Sequence, residues 1–165
     1  MILRSLFRSK SNRAEAVYAV IVAASRQRHF YADLGVPDTV DGRFDMLVLH
    51  LALVVSRLRG EDDALRQRLI DRFCEDMDDN LRELGAGDLS VGKKVRRMAE
   101  AFQGRYNVYE TAQDFEKMSA ALERNVYAGI LHPGCRELTN YVLKARGLLQ
   151  HKTKDEIAAG KFQFT

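Results

Sequence analysis

Residues 73–105 read FCEDMDDNLRELGAGDLSVGKKVRRMAEAFQGR, which is the end of one helix, a glycine-bearing elbow and most of the next helix. Phe73, Met77, Leu81 and Leu84 recur at helical spacing before the Gly85-Ala86-Gly87 break, and Val91, Val95, Met98, Phe102 and Tyr106 recur after it. Two apolar stripes joined by so short an elbow predict helices that fold back on each other. The charges along this hairpin are sorted. Glu75, Asp76, Asp78, Asp79 and Glu83 precede the elbow, and Lys93, Lys94, Arg96 and Arg97 follow it. Acids near a helix C-terminus and bases near an N-terminus both oppose the helix dipole. Either the two groups answer each other across the hairpin, or they are displayed to a partner.

The same period extends outward along the chain. A helix is expected to start at Asn12, with Glu15 completing a capping box, and to fray near Asp33-Leu34-Gly35. Residues 36–42, VPDTVDG, form a loop because Pro37 and Gly42 both break helices. A long helix then runs to about Arg59, with Phe44, Leu47, Val48, Leu51, Val55 and Leu58 on one face. Asp45, Ala52, Ser56 and Arg59 mark its wetter side, and Met46, Leu49 and Leu53 widen the apolar arc, so this helix is predicted to be central. Glu61, Asp62 and Asp63 open the next helix, Ser90 is expected to cap the fourth, and a fifth spans about Thr111 to Ala128. The His132-Pro133-Gly134 turn precedes a sixth, and Lys154–Ala158 is a candidate for one further turn. The expected fold is all-α, a single-domain bundle of about six helices over 14–150. A basic flexible segment, 1–13, precedes it, and a C-terminal extension, 151–165, follows it.

Composition narrows the function classes. The 165 residues are 46% hydrophobic and 30% charged, with only 2 Pro, which suits a helical bundle better than a β-sandwich. The net charge of +3 is uneven: residues 1–13 hold four of the 26 basic residues and no acid, leaving 22 basic against 23 acidic in the remainder. The body therefore carries no basic excess of the kind that marks a DNA-binding domain. Cys74 and Cys135 lie far apart and read as buried thiols in a reducing compartment. Arg4 and Arg8 interrupt the apolar residues of the N-terminus, so no secretory signal is expected there. The same pattern resembles a short membrane-surface anchor, which makes Arg4, Phe7 and Arg8 candidate membrane contacts. The apolar runs 17–24 and 46–55 are far shorter than a membrane span, and a soluble, cytosolic protein is expected.

Motifs that carry chemistry are few. Gly87-x-x-x-x-Gly92-Lys93 has the spacing of a phosphate-binding loop, but Lys94 stands where Ser or Thr would hold magnesium, and a helix precedes it instead of a strand. His132 and Cys135 are spaced as two metal ligands with no second pair nearby. No nucleophile, base and oxyanion set assembles. Neither an enzyme nor a metal or cofactor site is expected. His50 reads as a hydrogen-bonded core residue; a haem- or small-ligand-binding bundle would use it or His29. Lys93, Lys94, Arg96 and Arg97 would be the contacts of a ribosome- or RNA-associated factor, although few aromatics are interleaved with them.

Three runs carry a family resemblance: FYADLGVPDTVDGRFDM (30–46), FCEDMDDNLRE (73–83) and GDLSVGKK (87–94). They resemble the signature of the ubiquinol–cytochrome c chaperone family, over roughly residues 15–150. Without a targeting extension, the chain looks like an α-proteobacterial member. The resemblance implies a non-catalytic assembly factor of the cytochrome bc complex, peripheral to the inner membrane on its cytoplasmic side, which binds newly made cytochrome b. In the mitochondrial branch the family is also associated with the ribosome and a smaller partner protein. A chaperone of this kind needs a scaffold and a complementary surface. The exposed loop and the charge-sorted elbow are the expected client surface, with Asp33, Asp41, Arg43, Asp45, Asp76, Asp79, Lys93, Lys94 and Arg97 as candidate contacts.

Overall fold

The computed structural model describes residues 2–165, with side chains from Arg13 onward. In chain order the helices are α1 (Ile2–Ser25), α2 (Arg28–Ala32), α3 (Val40–Leu58), α4 (Asp63–Glu83), α5 (Asp88–Thr111), α6 (Phe115–Val126), α7 (Gly134–Gln150) and α8 (Lys154–Ala158). No strand occurs among the described residues, and the fold is all-α, six long helices with two five-residue turns of helix. None of the helices searched is long and apolar enough to cross a membrane.

α3 is the axis. It touches α1, α4, α5, α6 and α7, and every residue from Asp45 to Val55 is buried. Asp45 and Ala52, expected on a wetter side, are therefore enclosed, because a helix with five neighbours keeps solvent only at its ends. His50 sits at the centre of this packing. Its Nδ1 lies 2.8 Å from the Met46 carbonyl, which can only accept, so Nδ1 carries the proton. Nε2 then accepts from the Tyr141 hydroxyl at 2.7 Å. Burial pushes the His50 pKa down to about 4, and the ring is neutral. Phe30 and Phe164 meet it edge-on at centroid distances of 5.5 and 4.9 Å.

Local chemistry explains most helix ends. Thr39 caps α3 by accepting from the Gly42 N–H, Asp62 caps α4 through Leu65, and Asp114 caps α6 through Lys117. Thr153 and Glu156 close a capping box on α8. Several expected boundaries move. The first helix is continuous from Ile2, so Asn12 lies inside it and cannot cap it. It stops at Ser25, where Gln27 turns extended and Tyr31 donates to the freed Ser25 carbonyl. Gly87 is the N-cap of α5, and Ser90 instead donates to the Gly87 carbonyl from within the first turn. α6 starts at Phe115, behind its Asp114 cap. After α8 the chain runs without regular structure, yet Phe162 and Phe164 are buried in the same core cluster as α3.

Candidate functional site

Among the described residues no group of three or more His, Cys, Asp or Glu is placed to hold a metal ion. Both His50 ring nitrogens are engaged, which leaves neither free to ligate a haem iron. What the fold presents instead is surface, in two places.

The first surface is the loop before α3, packed on the turn after α6. The Tyr127 hydroxyl donates to the Leu34 carbonyl at 2.9 Å, and the Tyr127 ring stacks on His132 with centroids 5.1 Å apart and planes 5° from parallel. Gly35, at φ +67°, lies against the His132 imidazole, and Gly134 lies against the Leu34 backbone, so neither position has room for a Cβ. The loop and the turn thus form one packed unit. Its outer side shows Asp33, Asp41 and Arg43, together with the apolar side chains of Val40, Ile130 and Leu131. Arg43 reaches Asp38 at 2.7 Å and holds that carboxyl below its usual range. Both partners are more than half exposed, so the pair adds little stability.

Asp45 does not belong to this display. Its carboxylate is buried and pairs with Arg105 of α5 at 2.8 Å, and the guanidinium lies 5.6 Å from the centre of the Phe44 ring. Burial outweighs the attraction of Arg105 and raises the Asp45 pKa to about 6. Its position makes it an internal tie between α3 and α5, which corrects its place among the expected surface contacts.

The second surface is the α4–α5 hairpin. The antiparallel helices touch, but no ion pair within 4.0 Å joins the acidic group to the basic group among the described residues. Helix geometry gives the reason. Val91, Val95, Met98 and Phe102 turn inward, and at about 100° per residue Lys93, Arg96 and Arg97 fall on the opposite side. Lys93, Lys94, Arg96 and Arg97 are all exposed. The acids find other partners: Asp76 accepts from the Tyr18 hydroxyl at 2.9 Å, Glu75 pairs with Arg68 at 2.8 Å, and Arg82 bridges Asp78 and Asp88. Asp79 stays exposed. Val91 is fully buried yet stands outside the main core cluster.

Leu84, expected in the α4 stripe, is instead the exposed C-cap, and Leu89 across the elbow is exposed as well. Leu89 was detectable by its position off the Val91, Val95 and Met98 register; Ile130 and Leu131 were detectable only by their place between Gly129 and the Pro133-Gly134 break. The side chains of Arg4, Phe7 and Arg8, the candidate membrane contacts, lie outside the described residues.

A family model described as Ubiquinol-cytochrome C chaperone matches residues 32–164. The chain is also similar to a solved structure, the crystal structure of the Cbp3 homolog from Brucella abortus. The two are 39% identical and superpose with a TM-score of 0.88, over 100% of this chain and 97% of that one. No curated protein matches the chain.

Proposed function

The chain belongs to the ubiquinol–cytochrome c chaperone family, and on that premise we propose that it is a non-catalytic assembly factor that binds newly made cytochrome b and assists assembly of the ubiquinol–cytochrome c oxidoreductase. The family match over residues 32–164 carries this reading, because it spans the structural unit containing both surfaces. A client-binding role fits what the fold offers. The loop–turn unit holds its backbone through Tyr127, Gly35 and Gly134 and leaves Val40, Ile130 and Leu131 outside, which suits contact with an apolar client segment. Asp33, Asp41 and Arg43 on its rim, and Asp76, Asp79, Lys93, Lys94 and Arg97 on the hairpin, are the proposed polar contacts. The proposed place of action is the cytoplasmic side of the inner membrane, where such a client is inserted.

The test is a strain lacking the chain. The proposal expects the reduced-minus-oxidised b-type haem signal of the cytochrome bc complex to fall and to return with a wild-type copy. Undiminished complex in the deletion strain contradicts it. Enrichment of ribosomal proteins with the tagged chain, without cytochrome b, would instead support a translation-side role.

A further inference from the structure

We propose that residues 160–165 are a displaceable strap in a peptide groove along α1, and that this groove takes an extended segment of a partner protein with aromatic side chains two residues apart. This goes beyond the assembly-factor reading and does not rest on it, since neither the loop–turn unit nor the hairpin is involved.

The strap is built like a bound peptide. Lys161, Gln163 and Thr165 are exposed while Phe162 and Phe164 are buried, and that two-residue period belongs to an extended chain. Yet it pairs with no strand. The Lys161 N–H reaches the Glu156 carbonyl at 2.8 Å, and beyond it no backbone hydrogen bond among the described residues involves Phe162 to Thr165. Two rings hold the segment instead. Phe164 stands edge-on to His50 with centroids 4.9 Å apart, and edge-on to Phe162 at 5.6 Å. Alternate side chains sunk in a surface groove are how extended peptides are recognised. With no backbone ladder to break, the strap leaves by withdrawing two side chains.

The groove has one wall on α1. Ala16, Val20, Ala23 and Gln27 recur at helical spacing on one side of the chain, and the small residues among them let another backbone come close. Gly160, just after α8, lies against this wall: a Cβ there would stand 3.6 Å from the Ala16 carbonyl oxygen and 3.7 Å from a Val20 methyl. The strap does not fill the space. Val20, Ala23, Ala24 and Gln27 line with it an open cleft of about 360 Å3, within the range of small-ligand sites. An incoming segment therefore has a place to start before the strap has left. No charged side chain lines the cleft, and the ring at the inner end of the groove is the neutral His50. The groove is thus suited to aromatic and aliphatic side chains of an uncharged segment. The strap itself, with Phe162 and Phe164, is the template of what fits.

The experiment titrates a fluorescein-labelled peptide AGKFQFT, the sequence of residues 159–165, into full chains and follows its anisotropy. The chains are the wild type, Phe162→Ala with Phe164→Ala, and that double variant carrying Ala23→Arg as well, with circular dichroism to verify folding. A strap that is closed nine-tenths of the time lowers the apparent affinity about tenfold. The double variant is therefore expected to bind the peptide at least about tenfold more tightly than the wild type. Ala23→Arg, at an exposed position in the cleft, is expected to remove that gain, and a peptide with Ala for both Phe is expected not to bind. A second measurement needs no variant: excess unlabelled peptide is expected to move the Phe162 and Phe164 amide signals of the wild type to random-coil positions in its NMR spectrum. A folded double variant that ignores the peptide, or binds the Phe-free peptide equally well, would overturn the proposal. So would wild-type strap signals that stay in place at saturating peptide. A wild type that runs at twice its mass with exchanged straps would overturn the assignment to a partner protein in favour of a second copy of the chain.

Discussion

Replacing His50 by Leu together with Tyr141 by Phe is expected to remove a pH dependence that the wild-type core carries. His50 is fully buried, and its folded pKa of about 4 lies below the unfolded value near 6.5. The unfolded chain therefore binds the extra proton first, and stability is lost as pH falls through the interval between the two values. The loss reaches about 3 kcal/mol by pH 4, from roughly 1.36 kcal/mol per unit of pKa difference. Asp45 acts in the opposite sense: its folded pKa is raised to about 6, so its contribution is lost as pH rises through that value. Surface carboxylates such as Glu75, held low by Arg68, add their own acid slope. The difference between wild type and double variant cancels these shared terms. Changing both partners also avoids leaving the Tyr141 hydroxyl buried without its acceptor. The assay is urea denaturation of both proteins at intervals from pH 7 to pH 4. The stability difference is expected to move by about 3 kcal/mol across that window in favour of the variant at acid pH. A difference that stays flat means that His50 keeps an ordinary pKa in the fold, and the account of the core around it fails.

Asp41→Ala with Arg43→Ala removes only exposed groups and the weak Asp38–Arg43 pair, so the melting temperature is expected to stay nearly unchanged while capture of the client falls; a large loss of stability would make these residues structural. Gly35→Ala places a Cβ against His132 at a left-handed backbone position, and a loss of about 2 kcal/mol in denaturant unfolding is expected, of which roughly 1–2 is the φ penalty alone. Phe164→Ala empties the space beside the His50 ring, and a cost of about 3–5 kcal/mol is expected by the same assay. A Phe164→Ala chain of unchanged stability would show that the C-terminal residues are not part of the core.

Helices were legible in this sequence wherever apolar spacing was regular and a cap or breaker marked the end. Pro37 marked the loop, although α3 starts at Val40 and so Gly42, expected to end that loop, lies within the first turn of the helix; the Gly85-Ala86-Gly87 elbow was read in place. The end of α1 was not, because no Gly or Pro stands near Ser25; the break is made by tertiary packing of Phe30 and the Tyr31 bond. Asp45 was misplaced because a helical wheel assumes one wet side, and α3 has none along its middle. The proposed client surface was legible on its sequence-signature side only. The turn at Ile130 and Leu131 lies about ninety residues from the loop, and only the Tyr127–Leu34 bond and the Gly35 and Gly134 contacts bring the two together. Whether the sorted charges pair also lay beyond the sequence, since the answer depends on the rotation of α5 about its own axis.

The most direct test of the central claim is an affinity pull-down of the tagged full chain from native membranes, with mass spectrometry of the captured proteins. The account predicts enrichment of cytochrome b with the wild type and its reduction with Asp41→Ala, Arg43→Ala. Absence of cytochrome b from the wild-type capture, with the cytochrome bc complex still assembled when the chain is deleted, would contradict it.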